Sequence, residues 1–294
     1  MPTTRTSELR PLQVHDATIE YSDSGGDGEP LLLVHAGVFA DWFTPLVAEP
    51  ALAGHRVISM VRAGYTSSPP PGRPLTIGDH AAHIAALLEA LDLPGAHVLA
   101  HSSGTVIALQ LALDRPDLVR TLVLSEPPLI DPLVAPEDLD LVHGMLGPVI
   151  GAAVAAIAAG DPPAAFDAFL RAVCGAGYRD VLRTSLGPEG LQRAARGCRY
   201  FFTDEVSAMG AWSFDQTIAA RVRQPVLLVQ GGASPPVVHG LIAHVAAMLP
   251  HAETATVEGH DHLLPLTAPA VLADLTASLT RRHPLVRSES MGSI

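Results

Sequence analysis

The sequence predicts an α/β fold, a mostly parallel sheet flanked by helices with a helical segment inserted in the middle of the chain. Three observations carry this. Continuous apolar runs at residues 31–34, 57–61 and 225–229 have the length of strands buried on both faces. Amphipathic stretches alternate with them, as crossover helices do in a parallel sheet. Between residues 132 and 213 the alternation stops, and sequence rich in Ala, Leu and Gly reads as helix.

Taken in order, residues 18–22 are expected as an antiparallel edge strand, and 31–34 and 57–61 as the first buried strands. A Gly/Ser/Pro loop follows at 63–74, then an amphipathic helix at 77–91. A strand from Val98 runs into a helix that ends near Pro116, and residues 121–124 form the next strand. After the insertion come a strand at 225–229, a helix at 238–249 and a strand at 254–257. The last helix, 268–279, carries Val271, Leu272, Leu275 and Leu279 on one face. The expected division is a core of residues 1–131 and 214–282, a helical cap of 132–213, and a disordered tail of 283–294. The cap breaks at Gly160-Asp161-Pro162-Pro163 and at Gly187-Pro188. Its simplest place is over the carboxyl edge of the sheet, where open α/β sheets bind their ligands.

Composition excludes several classes of function. The formal net charge of −12 disfavours nucleic acid, whose phosphates would be repelled. All 18 basic residues are arginine, so the lysine that a P-loop ATPase or a pyridoxal-phosphate enzyme requires is missing. Cys174 and Cys198 are too few for a disulfide framework and lack metal-ligand spacing, which points to buried thiols in a reducing compartment. The opening Met1-Pro2-Thr3-Thr4-Arg5 is polar and leads into no apolar segment, so no secretory signal is expected. The longest apolar stretch, 146–159, is interrupted by Gly147, Pro148 and Gly151 and is short for a membrane span. A cytoplasmic protein without cofactor or metal is expected, and a homodimer is left open.

The most informative segment is Val98-Leu99-Ala100-His101-Ser102-Ser103-Gly104. A short strand runs through small-His-Ser-x-Gly into a helix, the arrangement that exposes a nucleophilic serine on a strained turn. Ala100 stands where glycine is usual and adds one methyl. A nucleophilic serine needs a base, and the base needs an orienting carboxylate. Glu126, in Leu124-Ser125-Glu126-Pro127-Pro128, lies past the strand after the elbow helix and so emerges at the same sheet edge as Ser102. The backbone N–H of Ser103 would be one donor to a tetrahedral oxyanion, and one from the loop after residues 31–34, at Gly37, the other.

Together, Leu33-Val34-His35-Ala36-Gly37, Val61-Arg62-Ala63-Gly64-Tyr65, the elbow, and Gly259-His260-Asp261-His262 with Pro269 downstream resemble the α/β-hydrolase family along nearly the whole chain. That resemblance implies the α/β-hydrolase fold and an acid just after the strand at 225–229. Here that position reads Gly231-Gly232-Ala233-Ser234-Pro235-Pro236, and no Asp or Glu occurs between Asp215 and Glu253. A subset that includes fungal zearalenone lactonases is similar in placing a glutamate where Glu126 stands, with Asp131 and Asp261 as weaker alternatives. The family's histidine precedes by seven residues the proline that opens the last helix, which selects His262 over His260; His101 is left a packing role.

The expected activity is hydrolysis of a carboxylic ester or lactone of a hydrophobic small molecule through an acyl-enzyme, with catalytic Ser102, His262 and Glu126. The same triad on a thioester or carbon–carbon bond, or a ligand-binding protein of low turnover, are the alternatives. Val38, Leu141, Met145 and Trp212 are the expected substrate contacts, with Val149, Phe169 and Phe201 as further apolar candidates.

Overall fold

The structure, a computed structural model, describes residues 8–285. Met1–Ser7 and residues 286–294, and with them most of the expected tail, lie outside the described residues.

Eight strands form one sheet in the order β1-β2-β4-β3-β5-β6-β7-β8. They are β1 (Arg10–Val14), β2 (Ala17–Asp23), β3 (Glu29–Val34), β4 (His55–Val61), β5 (Ala96–His101), β6 (Val119–Ser125), β7 (Val226–Gly231) and β8 (Ala252–Val257). The β1–β2 and β2–β4 pairs are antiparallel and every other pair is parallel. The expected edge strand is therefore second from the edge. The outer strand is Arg-Pro-Leu-Gln-Val, whose proline and single buried side chain, Val14, hid it in the sequence. An edge position is where a strand tolerates a proline.

The helices of the core are α1 (Ile77–Ala90) and α2 (Ser103–Asp114). Thr76 opens α1 with a capping box, its hydroxyl accepting the Asp79 N–H while the Asp79 carboxylate accepts the Thr76 N–H. The insertion after β6 holds α3 (Leu139–Ala158), α4 (Pro162–Cys174), α5 (Tyr178–Gly197, kinked at Gly187), a π-helical turn at Phe201–Glu205, and the short α6 (Val206–Gly210). The short α7 (Gln216–Ala219) leads back to β7, followed by α8 (Pro236–Met248), α9 (Leu264–Thr267) and α10 (Pro269–Arg282).

Two expectations change here. Gly147, Pro148 and Gly151 do not interrupt α3; Pro148 sits inside it on the exposed side, where the carbonyl of Gly144 that loses its partner faces out. Pro136–Ala158 is consequently one helix long and apolar enough, by length and composition, to cross a membrane, while Val142, Ala153 and Ile157 on its inner side are buried. Residues 283–285, assigned to the tail, are tied down. The Arg120 guanidinium donates to the carbonyls of His283 and Pro284, and the Leu285 N–H donates to Glu29.

Candidate active site

β5, β6 and β7 run parallel in register, with His101 beside Ser125 and Ser125 beside Val229. The residues just past these positions, Ser102 and Glu126, therefore share one sheet edge. Ser102 has φ 49° and ψ −125°, a conformation that costs a non-glycine residue on the order of 1–3 kcal/mol. Its neighbours hold it there: the Ser102 N–H donates to the Ser125 carbonyl at 2.9 Å, and Thr105 returns to the Ser102 carbonyl through both N–H and hydroxyl. Gly104 is required, because a Cβ there would lie 2.5 Å from the Val34 carbonyl oxygen and 2.7 Å from that of His35. The turn is thus strained, and its small residue is imposed by the adjoining strand.

Glu126 repeats the pattern one strand over, with φ 49° and its N–H on the Val229 carbonyl at 2.9 Å. Its carboxylate is buried. Oε1 accepts the Gly231 N–H at 2.6 Å and the Ser234 hydroxyl at 3.0 Å, and Oε2 faces His262 Nδ1 at 3.3 Å. The segment that carries no acid after β7 instead supplies the donors that fix this one. Gly231 must be glycine there, because a Cβ would run into the His260 carbonyl. Gly231 and Ser234 escaped the sequence reading. Their signal was the replacement of an expected acid by donors.

The weaker carboxylates are elsewhere. Asp261 accepts the Leu263 N–H at 2.9 Å in a local turn. Asp131 binds His143 Nε2 at 2.7 Å, with both side chains well exposed. His260 pairs with the Thr267 hydroxyl. His101 is fully buried between the rings of Trp42 and His262, each 4.7 Å from it, and burial keeps its pKa well below the usual histidine range.

After β3, Val38 has φ 71°, unusual for a β-branched residue, and the Gly37 carbonyl accepts both the Phe39 N–H at 2.9 Å and the Trp42 indole at 3.0 Å. The Gly37 N–H has no acceptor among the described residues. The Ser103 N–H, at the first position of α2, has none within its helix.

Ser102, Glu126 and His262 line one cavity of about 370 Å³. Gly37, Val38, Ser103, Met145, Phe169 and Phe201 line it too. Leu141, Val149 and Trp212, expected as apolar contacts, do not. On α3 the inward row is Val142, Leu146 and Ile150, so Leu141, one residue before it, projects outward and is 58% exposed. Trp212 stacks on Phe214 and donates its indole N–H to Gln110 on α2.

A second polar cluster adjoins the first. Arg62 and Glu205, both wholly buried, form a two-pronged ion pair at 3.0 and 3.1 Å. Glu205 also accepts the Tyr65 hydroxyl and, at 2.6 Å, that of Ser103. Burial, the largest single influence, acts to raise the Glu205 carboxyl, but the Arg62 charge, the neighbouring His80 and the hydrogen bonds from Arg62 and Ser103 together outweigh it and hold the group at about 2. Nothing in the sequence reading selected Glu205. An arginine at the end of the apolar strand β4 was the available signal, since a buried guanidinium requires a carboxylate.

Three buried histidines predict the response to acid. Burial pushes His35 and His101 well below the ordinary 6.5, and His80 down to about 3. The folded protein keeps them neutral while the unfolded chain protonates them, so stability is retained above pH 6.5 and lost as pH falls below it. By pH 5.5 each costs about 1.4 kcal/mol. Thermal melts should therefore show a falling melting temperature from pH 7.5 to 5.5, and a flat profile would show that these histidines ionise in the fold.

Residues 29–148 match the family described as alpha/beta hydrolase fold. The dihydrolipoyllysine-residue acetyltransferase component of the acetoin cleaving system of Cupriavidus necator is 29% identical over 111 residues, 37% of this chain and 29% of that protein. A 2-hydroxy-6-oxo-2,4-heptadienoate hydrolase of Pseudomonas putida is 34% identical over 107 residues, 34% of this chain and 37% of that protein. These matches span well under half of the relatives' own lengths. The crystal structure of the carboxylesterase CesB (YbfK) from Bacillus subtilis superposes with a TM-score of 0.73 at 19% identity, covering 93% of this chain and 91% of that one. Sheet order and these matches together show that the chain has the α/β-hydrolase fold.

Proposed function

We propose that the protein is a serine hydrolase that cleaves a carboxylic ester or lactone of a hydrophobic small molecule. The observation that carries this reading is the Glu126 carboxylate, held by Gly231 and Ser234 and facing His262 Nδ1 in the cavity that Ser102 lines. A carboxylate so placed keeps the proton on Nδ1 and leaves Nε2 free to accept one. Ser102 Oγ attacks the carbonyl carbon as its proton passes to His262 Nε2. The oxyanion that forms meets the N–H groups of Gly37 and Ser103, both without an acceptor among the described residues. His262 then protonates the leaving alkoxide, and water releases the acyl group by the same steps in reverse order.

The cavity sets the substrate class. Its volume of about 370 Å³ suits a small organic molecule, and α3, α4 and the π-turn supply Met145, Leu146, Ile150, Phe169 and Phe201. In this reading the insertion is a cap over the sheet edge. The protein is read as cytoplasmic and without cofactor. The carbon–carbon bond next to a ketone is the second reading, favoured by the likeness to the Pseudomonas putida hydrolase.

A panel of p-nitrophenyl esters, aromatic lactones, thioesters and diketones, run beside Ser102→Ala as background, separates these. Esters or lactones with apolar acyl groups should turn over, and diketones should not. Turnover of the diketones alone would move the assignment to carbon–carbon cleavage. Ligand-dependent thermal stabilisation with no turnover of any substrate would make the protein a binding module.

A further inference from the structure

Phe201–Glu205 is a π-helical turn, a local widening of the helix that recurs at functional sites. It meets the sheet edge at three points. The Tyr200 ring covers Gly64, and the Phe201 ring covers Gly37, where a Cβ on either glycine would overlap the ring. Glu205 receives the Ser103 hydroxyl at 2.6 Å. Two of these three points, Gly37 and Ser103, carry the N–H groups assigned to the oxyanion. The turn also cannot slide, because Arg62 at the end of β4 and Tyr65 beyond it both grip the Glu205 carboxylate.

From this juxtaposition we infer that Glu205 is a positioning residue for hydrolysis, which rests on the serine-hydrolase reading: anchored by Arg62 and Tyr65, it holds the Ser103 hydroxyl and thereby aims the Ser103 N–H at the developing oxyanion. The geometry explains why this carboxylate is tolerated so near a site of developing negative charge. Arg62 lies on the same carboxylate, so the pair as a whole is neutral. It also explains why the residue after the nucleophile is a serine. Alanine would keep the N–H but lose the tether, and Ser103 Oγ would lie only 3.2 Å from a Cβ at Gly37, which links the two donors through one contact region.

The test is the kinetics of Ser103→Ala, Glu205→Gln and the double variant on the best ester of the panel. Ser103→Ala should lower kcat about 10- to 100-fold, the scale of misplacing a donor by a fraction of an ångström, with KM little changed. The affinity for a trifluoromethyl ketone, to which Ser102 adds with its proton passing to His262, should fall by the same factor, because that adduct carries the oxyanion. The double variant should be no slower than Glu205→Gln alone, since both changes break one contact. If Glu205→Gln does not fold, Ser103→Ala still decides the matter, because it leaves the Arg62–Glu205 pair intact. Wild-type kcat in Ser103→Ala, or a loss expressed in KM with ketone affinity unchanged, would overturn the positioning role alone. Ester turnover that survives Ser102→Ala would overturn both this role and the hydrolase reading.

Discussion

Glu126→Gln lowers kcat on a good ester by a factor on the order of 10²–10⁴, while Asp261→Asn stays close to the starting enzyme. The physical reason lies in the donors around the side chain. Gly231 N–H and the Ser234 hydroxyl both point at Oε1. An amide there turns its oxygen toward them and its NH2 toward His262 Nδ1. His262 must then accept at Nδ1 and carry its proton on Nε2, the tautomer that cannot take the proton of Ser102. The volume is unchanged and the fold should be kept, so the loss is one of tautomer and charge. Asp261 caps the Leu263 N–H and takes no part in this chain of contacts. Near-native kcat in Glu126→Gln with an inactive Asp261→Asn would transfer the acid role to Asp261.

The largest expected stability effect is at Arg62. Arg62→Met removes a fully buried cation and leaves the Glu205 carboxylate in the same dry site with only hydroxyl partners. Breaking one half of such a pair costs about 3–5 kcal/mol, because the remaining charge is uncompensated. For a chain of this size that lowers the melting temperature by roughly 10 °C. Replacing both halves, as in Arg62→Met with Glu205→Leu, should recover most of the loss, since the desolvation of both charges is then avoided. Thermal and urea melts of the two variants measure this. A single variant as stable as the parent would mean that Glu205 takes up a proton or reaches solvent.

The sequence was most readable where one local rule acts. Buried strands announce themselves as apolar runs, and the serine turn needs small residues at fixed positions because Gly104 abuts Val34 and His35. The contact of Glu126 with His262 was anticipated through the family resemblance, which expects an acid in the segment 231–236 where the sequence has none. What was hidden depends on contacts between distant positions. Glu205 meets Ser103 across 102 residues and Arg62 across 143, a distance that helical periodicity does not report. Leu141 and Met145 sit one turn apart on α3, yet only Met145 reaches the cavity, because the angle at which the helix docks is set by its packing on α4. β1 was missed for the opposite reason, a strand too polar and too short to stand out from a loop.

Covalent labelling with a fluorophosphonate, followed by peptide mass spectrometry, tests most directly whether Ser102 is a nucleophile activated by His262 and Glu126. The reagent phosphonylates an activated serine hydroxyl, the serine proton passing to His262 as fluoride leaves. A single adduct on the peptide that spans the elbow, located on Ser102, abolished by Ser102→Ala and slowed in Glu126→Gln in proportion to kcat, is the predicted result. An adduct on Ser103 that persists in Ser102→Ala, or labelling of Ser102 at the same rate with and without the Glu126 carboxylate, would contradict it.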